Sequence, residues 1–265
     1  MHVLVAHTYE PHRLEQMRTN FPDIDFVHLP AAAPWPHAVE VAEAYLFAGL
    51  RKPELDSLLR AAPAVSWIHT GSAGFDWVMV PEVEKRGIIV TRSFDVMSIP
   101  IAEFVLGAML YHAKNIPALV DAQGRRSWEP PMHIELRGKT VLVVGVGSIG
   151  GRVAGLCRAF GMRVLGVKRD GATHEAVDEM HPPSGLNELL PHADFVVLCT
   201  PSTPETDGMI GAVELAAMKS SAYLINVARG SLVDDDSLVD ALSRGVIGGA
   251  CLDAYDEEPL PASRP

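Results

Sequence analysis

A glycine-rich turn after a short apolar run constrains the fold of this sequence more than any other feature. The run Val141–Val144 leads directly into Gly145, Gly147 and Gly150, spaced G-x-G-x-x-G, and a helical stretch follows. In that setting the first glycine permits a tight turn, the second leaves room for a phosphate, and the third lets the helix pack closely on the strand. The free N–H groups of the first helical turn then face an anion. The sequence therefore predicts a strand-turn-helix unit that binds a dinucleotide through Gly145, Gly147, Ser148, Ile149 and Gly150.

The residues after the next predicted strand bear on the choice of cofactor. An acidic residue there would accept hydrogen bonds from the ribose hydroxyls of NAD and would repel the extra phosphate of NADP. The strand predicted at Arg163–Val167 is followed instead by Lys168 and Arg169, and two cations favour a 2′-phosphate. Asp170, one position later, keeps NAD open as the alternative. We expect a preference for NADP over NAD.

Apolar runs alternate with amphipathic stretches along the whole chain, and this alternation predicts an α/β fold with parallel sheets. In the first third we predict strands at Val3–Ala6, Phe26–Leu29, Ala44–Ala48, Val65–His69 and Ile88–Thr91, and helices at Glu54–Arg60 and Pro81–Arg86. Later strands are predicted at Thr140–Val144, Arg163–Val167, Phe195–Cys199, Ala222–Asn226 and Gly249–Leu252. Helices are predicted at Ser98–Lys114, Gly150–Phe160 and Asp236–Arg244, with an irregular stretch at Gln123–Gly138. We place the domain boundary where the long helix begins, which gives domains of residues 1–97 and 98–265.

Composition excludes several classes of function. The formal net charge of -11 would repel nucleic acid phosphates. No apolar run approaches the roughly 18 residues of a membrane span, and the apolar run at the N-terminus is too short for a signal peptide. The three cysteines are scattered in apolar runs, and the histidines lack the spacing of metal ligands. We expect a cytoplasmic protein with no metal site and no nucleic acid or membrane partner.

Several ordered motifs between about Val65 and Pro259 resemble one enzyme family. They are HTGSAGFD at 69–76, AEFVL at 102–106, TPSTPET at 200–206, LINVARG at 224–230 and DAYDEEP at 253–259. Together with the glycine turn they resemble the D-isomer-specific 2-hydroxyacid dehydrogenases, the glyoxylate/hydroxypyruvate reductase and phosphoglycerate dehydrogenase group. The resemblance implies a flavodoxin-like substrate domain before residue 98 and a doubly wound Rossmann domain after it. It also implies a homodimer that transfers a hydride between NAD(P)H and a small 2-oxo acid, giving the D-2-hydroxy acid.

The resemblance assigns roles to particular residues. Backbone amides of Ser72, Ala73 and Gly74 would bind the substrate carboxylate, since small side chains leave those amides open to an anion. Arg229 would hold the carboxylate and polarise the carbonyl, because a planar guanidinium meets a 2-oxo acid in two parallel hydrogen bonds. The other cofactor-lining positions that the family implies are Thr200, Pro201, Thr206, Asn226, Val227, Ala228 and Asp253.

Glu258 matches the family acid that orients and tunes a catalytic histidine, as a carboxylate does in the serine triad. In the family that histidine lies beyond the glutamate, and none of the eleven histidines here follows Glu258. We therefore expect a C-terminally truncated dehydrogenase that binds dinucleotide in this form but reduces 2-oxo acids only at trace rates. The alternative is a nucleotide-binding pseudoenzyme or regulatory protein, which the retained Arg229 and Glu258 disfavour.

Overall fold

The computed structural model describes residues 1–72 and 74–264, which form two compact units that divide between Val96 and Met97. Both units are α/β and are built on parallel sheets, as predicted. The roles of residues 1–97 as a substrate domain and 98–265 as a dinucleotide domain stay a prediction. Ala73, an expected substrate-binding residue, lies outside the described residues.

Unit 1 contains a five-stranded sheet of the flavodoxin-like order. Its strands are β1 (His2–Val5), β2 (Asp25–His28), β3 (Ala44–Phe47), β4 (Trp67–Thr70) and β5 (Ile89–Arg92), and its helices are α1 (Pro11–Asn20), α2 (Lys52–Ala61) and α3 (Pro81–Arg86). The strands lie in the order β2-β1-β3-β4-β5 and every pair is parallel. In this order the winding reverses between β1 and β3, and ligand sites of such sheets lie beyond the strand ends at that point.

The helices of unit 1 show why one of them was predicted and another was not. In α2, Leu55, Leu58 and Leu59 are fully buried at the spacing of one helical face, so the sequence carries a clear amphipathic pattern. In α1 only Leu14 is buried among the ten residues. That helix has no apolar face in its sequence, and the prediction omitted it.

Unit 2 contains a six-stranded, doubly wound parallel sheet. Its strands are β6 (Thr140–Val144), β7 (Arg163–Val167), β8 (Glu179–His181), β9 (Phe195–Leu198), β10 (Tyr223–Asn226) and β11 (Gly249–Leu252). Its helices are α4 (Ser98–Ala113), α5 (Ile116–Gly124), α6 (Ser148–Ala159), α7 (Leu186–Leu189), α8 (Ala212–Ala217) and α9 (Asp235–Ser243). The order is β11-β10-β9-β6-β7-β8, so the winding reverses between β6 and β9.

Two predictions about unit 2 need correction. The irregular stretch predicted from Gln123 begins later, because α5 includes both Gln123 and Gly124. The short helices α7 and α8 were missed, and so was strand β8. The residues of β8 form no apolar run in the sequence, and pairing with Leu165–Val167 of β7 holds them in the sheet. Tertiary hydrogen bonds therefore decide this strand, and local preference does not.

The core of unit 2 lies on both faces of the central strands. Residues Val141–Val144 and Phe195–Leu198 are buried throughout, as continuous apolar runs in a covered parallel sheet should be. Helix α6 packs Val153 and Cys157 against them and ends before Gly161, whose φ of +73° is the predicted left-handed helix end. Within the described residues, no helix is both long and apolar enough to cross a membrane.

Candidate functional site

The glycine turn after β6 has the close contacts that a phosphate-binding turn requires. Gly145 has a φ of +97°, and a Cβ there would lie 2.7 Å from the carbonyl carbon of Cys199 and from the amide nitrogen of Thr200. A Cβ on Gly150 would overlap the carbonyl oxygen of Gly145, so α6 approaches β6 this closely only with glycine there. The packing of the protein itself therefore requires glycine at both positions.

Gly147 is different, because a Cβ at this residue would meet no other atom within 4 Å. The open space lies at the N-terminus of α6, whose first helical bond is donated by the Gly151 amide to the Gly147 carbonyl at 2.8 Å. The amides of Ser148 and Ile149 lie in the first turn of α6, before that bond. A glycine that packing does not require, beside amides of a helix N-terminus, fits the diphosphate of a dinucleotide.

The loop after β9 borders the glycine turn at the point where the winding reverses. Thr206 fixes this loop, since its hydroxyl accepts from the Thr203 amide at 2.8 Å and donates to the Pro201 carbonyl at 2.8 Å. Thr200 stands next to Gly145, as the close approach of its amide shows. The structure thus brings the predicted residues Thr200, Pro201 and Thr206 to the same edge of the sheet as the glycine turn.

Lys168 follows β7 directly and stands beside an acid. Its amide donates to the carbonyl of His181 at 3.0 Å, and its ammonium lies 3.4 Å from the carboxylate of Asp170. A hydrogen bond from the Ala172 amide, together with the charge of Lys168, holds the pKa of Asp170 below its usual range. The two groups considered for cofactor choice therefore contact each other.

Arg169 is exposed, and its charge acts on the loop after β9. A hydrogen bond with Thr203 is the main cause that lowers the pKa of Glu205, and the positive charge of Arg169 lowers it further. Each cation after β7 thus has a carboxylate nearby, Asp170 for Lys168 and Glu205 for Arg169. The surface expected to face a 2′-phosphate carries both signs of charge.

The loop that carries Arg229 is held by a buried amide side chain. The Asn226 Oδ1 accepts from the Ala228 amide at 3.0 Å, and its Nδ2 donates to the Arg229 carbonyl at 2.7 Å. Asn226 is fully buried, and Val227 is buried beside it. The half-buried Arg229 donates from Nη1 to the Ala228 carbonyl at 2.7 Å. Asn226 was predicted to line the cofactor, and in the structure its side chain shapes the loop that presents Arg229.

The segment after β11 packs directly on the residue after Arg229. A Cβ on Gly230 would overlap the peptide that joins Tyr255 and Asp256. In the same segment the Glu258 carboxylate accepts from the Tyr255 amide at 3.1 Å. This close packing places the segment that carries Glu258 against the loop of Arg229.

Asp253 begins the same segment, and its amide donates to the Asn226 carbonyl at 2.9 Å. Loss of solvent raises the pKa of its carboxyl, and the negative charge of Glu258 raises it further. The two predicted acids, Asp253 and Glu258, therefore interact electrostatically at the edge of the sheet that also carries the Arg229 loop.

In unit 1, the predicted substrate loop follows β4. The Ser72 hydroxyl donates to the Gly74 carbonyl at 2.7 Å, and the Ser72 amide donates to the Thr70 hydroxyl at 3.3 Å. The loop is thus closed by its own hydrogen bonds. The Ser72 amide would bind an anion only by exchanging the contact with Thr70.

The sequence analysis missed two residues that connect the loops of unit 2. The Ser231 hydroxyl lies 3.0 Å from the Ser202 hydroxyl, and the Ser231 carbonyl accepts from the Gly208 amide at 2.7 Å. Gly230 allows the close packing described above. The only signal in the sequence is that two small residues follow Arg229 directly.

Comparison with known proteins bears on the family and the fold of this chain. The catalytic-domain model of the D-isomer specific 2-hydroxyacid dehydrogenases matches residues 3–182, and the NAD binding domain model of the same family matches residues 106–265. A glyoxylate reductase of Thermofilum pendens is 37% identical over 216 residues, which cover 78% of this chain and 63% of that protein. The match to a D-3-phosphoglycerate dehydrogenase of Methanocaldococcus jannaschii covers 39% of that protein. The chain thus spans less than two thirds of the length of these two curated relatives.

Two solved structures show the same fold. A D-lactate dehydrogenase from Aquifex aeolicus, complexed with NAD and lactic acid, has a TM-score of 0.83 at 28% identity, covering 97% of this chain and 78% of that chain. A D-isomer specific 2-hydroxyacid dehydrogenase from Xanthobacter autotrophicus, in complex with NADPH and MES, has a TM-score of 0.81 at 29% identity, covering 99% and 84%. The predicted two-domain fold with a Rossmann domain is confirmed. Each of the two family models matches more than half of this chain, and the chain therefore belongs to the D-isomer specific 2-hydroxyacid dehydrogenase family.

Proposed function

We propose that this protein reduces a small 2-oxo acid to the D-2-hydroxy acid, with glyoxylate and hydroxypyruvate as the substrate type. The observation that carries the proposal is the shared position of the glycine turn and Arg229. Both follow strands of one parallel sheet at the carboxyl edge, where α/β enzymes bind their ligands. A diphosphate cradle and a guanidinium on one edge suit a dinucleotide together with a carboxylate substrate.

The residues of unit 2 have separate tasks in this proposal. Bound NAD(P)H supplies the hydride. Gly147 and the amides of Ser148 and Ile149 hold the diphosphate, and Asp253 is placed for the nicotinamide amide. Arg229 holds the substrate carboxylate and polarises the carbonyl, since its fork can make two parallel hydrogen bonds. In the family a histidine beyond this glutamate supplies the proton, and Glu258 would orient such a histidine as the carboxylate of a carboxylate-histidine pair does.

Lys168 and Arg169, with Asp170 beside them, are the residues expected to select the cofactor, and these selector residues favour NADP. Lys168 follows β7 at the position where an acid would select NAD, and Arg169 adds a second cation. The complex of the Xanthobacter relative with NADPH supports this choice, and the complex of the Aquifex relative with NAD keeps the alternative open. Asp170 beside Lys168 moderates the preference, because it competes with a phosphate for the same ammonium.

A homodimer formed through α4 and the segment after α5 completes the proposal. The exposed side of α4 carries Phe104 and Tyr111, and the segment that follows α5 carries Trp128 and Met132. Trp128 is 94% exposed and Met132 is 90% exposed, and exposed apolar patches of this kind mark association surfaces. Light scattering on the purified protein would give the mass of a dimer, and the mass of a monomer would reject this part.

The experiment that tests the function combines binding and turnover. The protein, isolated at its natural length, is titrated with NADPH and NADH and then assayed with glyoxylate and hydroxypyruvate. We expect nucleotide binding and oxidation of the reduced nicotinamide that depends on the 2-oxo acid. Binding without turnover would favour the regulatory alternative, and absence of binding would reject both.

A further inference from the structure

We propose that a contact between Gly151 and His174 positions the loop that chooses between NADP and NAD. Gly151 lies in the first turns of α6, directly after the glycine turn. His174 lies in the loop 168–178, which joins β7 to β8 and begins with Lys168. The inference rests on the proposed function, because it assumes that this loop faces the adenosine end of a bound dinucleotide.

The imidazole of His174 fills the volume that a side chain at position 151 would occupy. A Cβ on Gly151 would lie 2.7 Å from the His174 Nε2 and 3.3 Å from its Cε1. Gly155, one turn later in the same helix, has no atom within 4 Å of such a Cβ. The glycine at position 151 is thus matched to the histidine, and the glycine at position 155 has no such partner.

The ring also fixes the path of the loop. The His174 Nδ1 accepts from the Ala176 amide at 3.2 Å, and its carbonyl accepts from the Val177 amide at 2.9 Å. Ala176 is buried in the core beneath α6. Arg158, at the other end of α6, donates to the Glu175 carbonyl at 3.1 Å. The loop is therefore held against α6 at two points, and His174 is the one nearer the glycine turn.

The first half of the loop carries the selector groups. Gly171 donates from its amide to the Lys168 carbonyl at 3.2 Å, and Asp170 accepts from the Ala172 amide at 3.0 Å. These bonds form a compact turn that ends two residues before His174. A shift of the histidine therefore moves the turn that carries Lys168 and Asp170, while the diphosphate cradle at Gly147 stays in place.

A methyl group at position 151 would displace the ring and leave the helix intact, because the atom it meets belongs to a side chain. NADPH makes a contact to the selector that NADH lacks, so NADPH affinity should suffer more. Loss of one charge-assisted contact to phosphate corresponds to about ten- to a hundredfold in Kd. NADH, held by the glycine turn, should change by less than about threefold on the same scale.

The test is a double-mutant cycle with a matched control. Gly151→Ala, His174→Ala, the double variant and Gly155→Ala are titrated with NADPH and with NADH by calorimetry, and Tm is measured for each. His174→Ala adds no atoms, so it keeps the test valid if Gly151→Ala fails to fold. Gly155→Ala should leave both Kd values unchanged and raise Tm slightly, since alanine suits a helix interior better than glycine.

We expect each single variant to shift the ratio of Kd values toward NADH, and the double variant to be no worse than His174→Ala alone. A ratio that stays at the wild-type value in both single variants, or effects that simply add, would overturn the inference and leave the proposed function standing. A wild-type protein that binds neither nucleotide would overturn both. A lowered Tm with an unchanged ratio would show a structural role only and would also overturn the inference.

Discussion

The Lys168 ammonium lies 3.4 Å from the Asp170 carboxylate, so the cation expected to meet a 2′-phosphate already has an anionic neighbour. A phosphate must take over this contact and must also withstand the repulsion of the carboxylate. Asp170→Asn removes the competing charge and keeps the shape of the side chain. We expect the Kd for NADPH to fall about two- to fivefold, a typical effect of an exposed ion pair. The Kd for NADH should not fall, because NADH has no 2′-phosphate that the Asp170 charge would repel. It should rise if the Asp170 carboxylate accepts hydrogen bonds from the NADH ribose.

The pH dependence of this effect follows from the direction of the shift. The Ala172 amide and Lys168 lower the pKa of Asp170 from its ordinary value of 3.8, so the carboxylate keeps its charge until the pH falls below that value. The 2′-phosphate has a second pKa of about 6 and loses part of its own charge below that pH. Calorimetry between about pH 7 and 8 should therefore show the full difference between wild type and Asp170→Asn. A difference that changes between pH 8 and 7 would mean that another group, and not Asp170, opposes the phosphate.

Lys168→Asp should reverse the cofactor preference. The new carboxylate would repel a 2′-phosphate and would accept hydrogen bonds from the ribose of NAD. The loss of one charge-assisted contact predicts an increase of about ten- to a hundredfold in the Kd for NADPH. Arg244→Asp at the end of α9 is a control for net charge. Arg244 pairs with Asp240, and both residues lie far from Lys168 in the sequence. Equal or tighter binding of NADH by the wild type would show that Lys168 is not the selector.

The two types of glycine in the turn predict opposite outcomes for alanine. At Gly147 a methyl group meets no protein atom, so Gly147→Ala should keep the wild-type Tm and lose most nucleotide affinity. At Gly150 a methyl group would overlap the Gly145 carbonyl, so Gly150→Ala should lower Tm by several degrees or prevent folding. Thermal unfolding and calorimetry on the two variants separate these effects. Tight NADPH binding by Gly147→Ala would show that the diphosphate lies elsewhere.

How much of this site the sequence reveals depends on how local each feature is. The bounds of β6 and the roles of Gly145 and Gly150 could be predicted, because an apolar run and fixed glycine spacing determine them. The contact of Lys168 with Asp170 depends on side-chain directions after β7, and no spacing rule gives it. His174 lies 23 residues from Gly151 in the sequence and is brought to it only by the path of a loop without regular structure. Strand β8 was missed for the same reason, since its partner strand defines it.

Asn226 should contribute to stability as well as to the shape of the site. Asn226→Ala would take the acceptor from the Ala228 amide and would remove one of the two donors to the Arg229 carbonyl, which keeps the Leu232 amide at 3.3 Å. The free energy of unfolding should fall by about 1–3 kcal/mol, as for other buried groups left unsatisfied. Asn226→Asp should cost more, because it places a buried negative charge against the Arg229 carbonyl. Urea unfolding of both variants checks the order, and a more stable aspartate variant would contradict it.

Arg229→Lys tests the substrate side of the proposal. Lysine keeps the positive charge but loses the planar fork, so one of the two parallel hydrogen bonds to a 2-oxo acid is lost. We expect kcat/KM for glyoxylate to fall about ten- to a hundredfold, and the Kd for NADPH to change less than about threefold. The fall should appear mainly in kcat if the lost bond strengthens as charge develops on the carbonyl oxygen, and mainly in KM if the lost bond binds only the carboxylate.

The matched control is Arg244→Lys, which changes an exposed arginine paired with Asp240 and should leave both kcat/KM and the Kd for NADPH unchanged. The assay needs a preparation with measurable wild-type turnover, and calorimetry with oxamate as an unreactive analogue gives a second measurement. Unchanged kcat/KM together with unchanged oxamate binding would remove Arg229 from the substrate site.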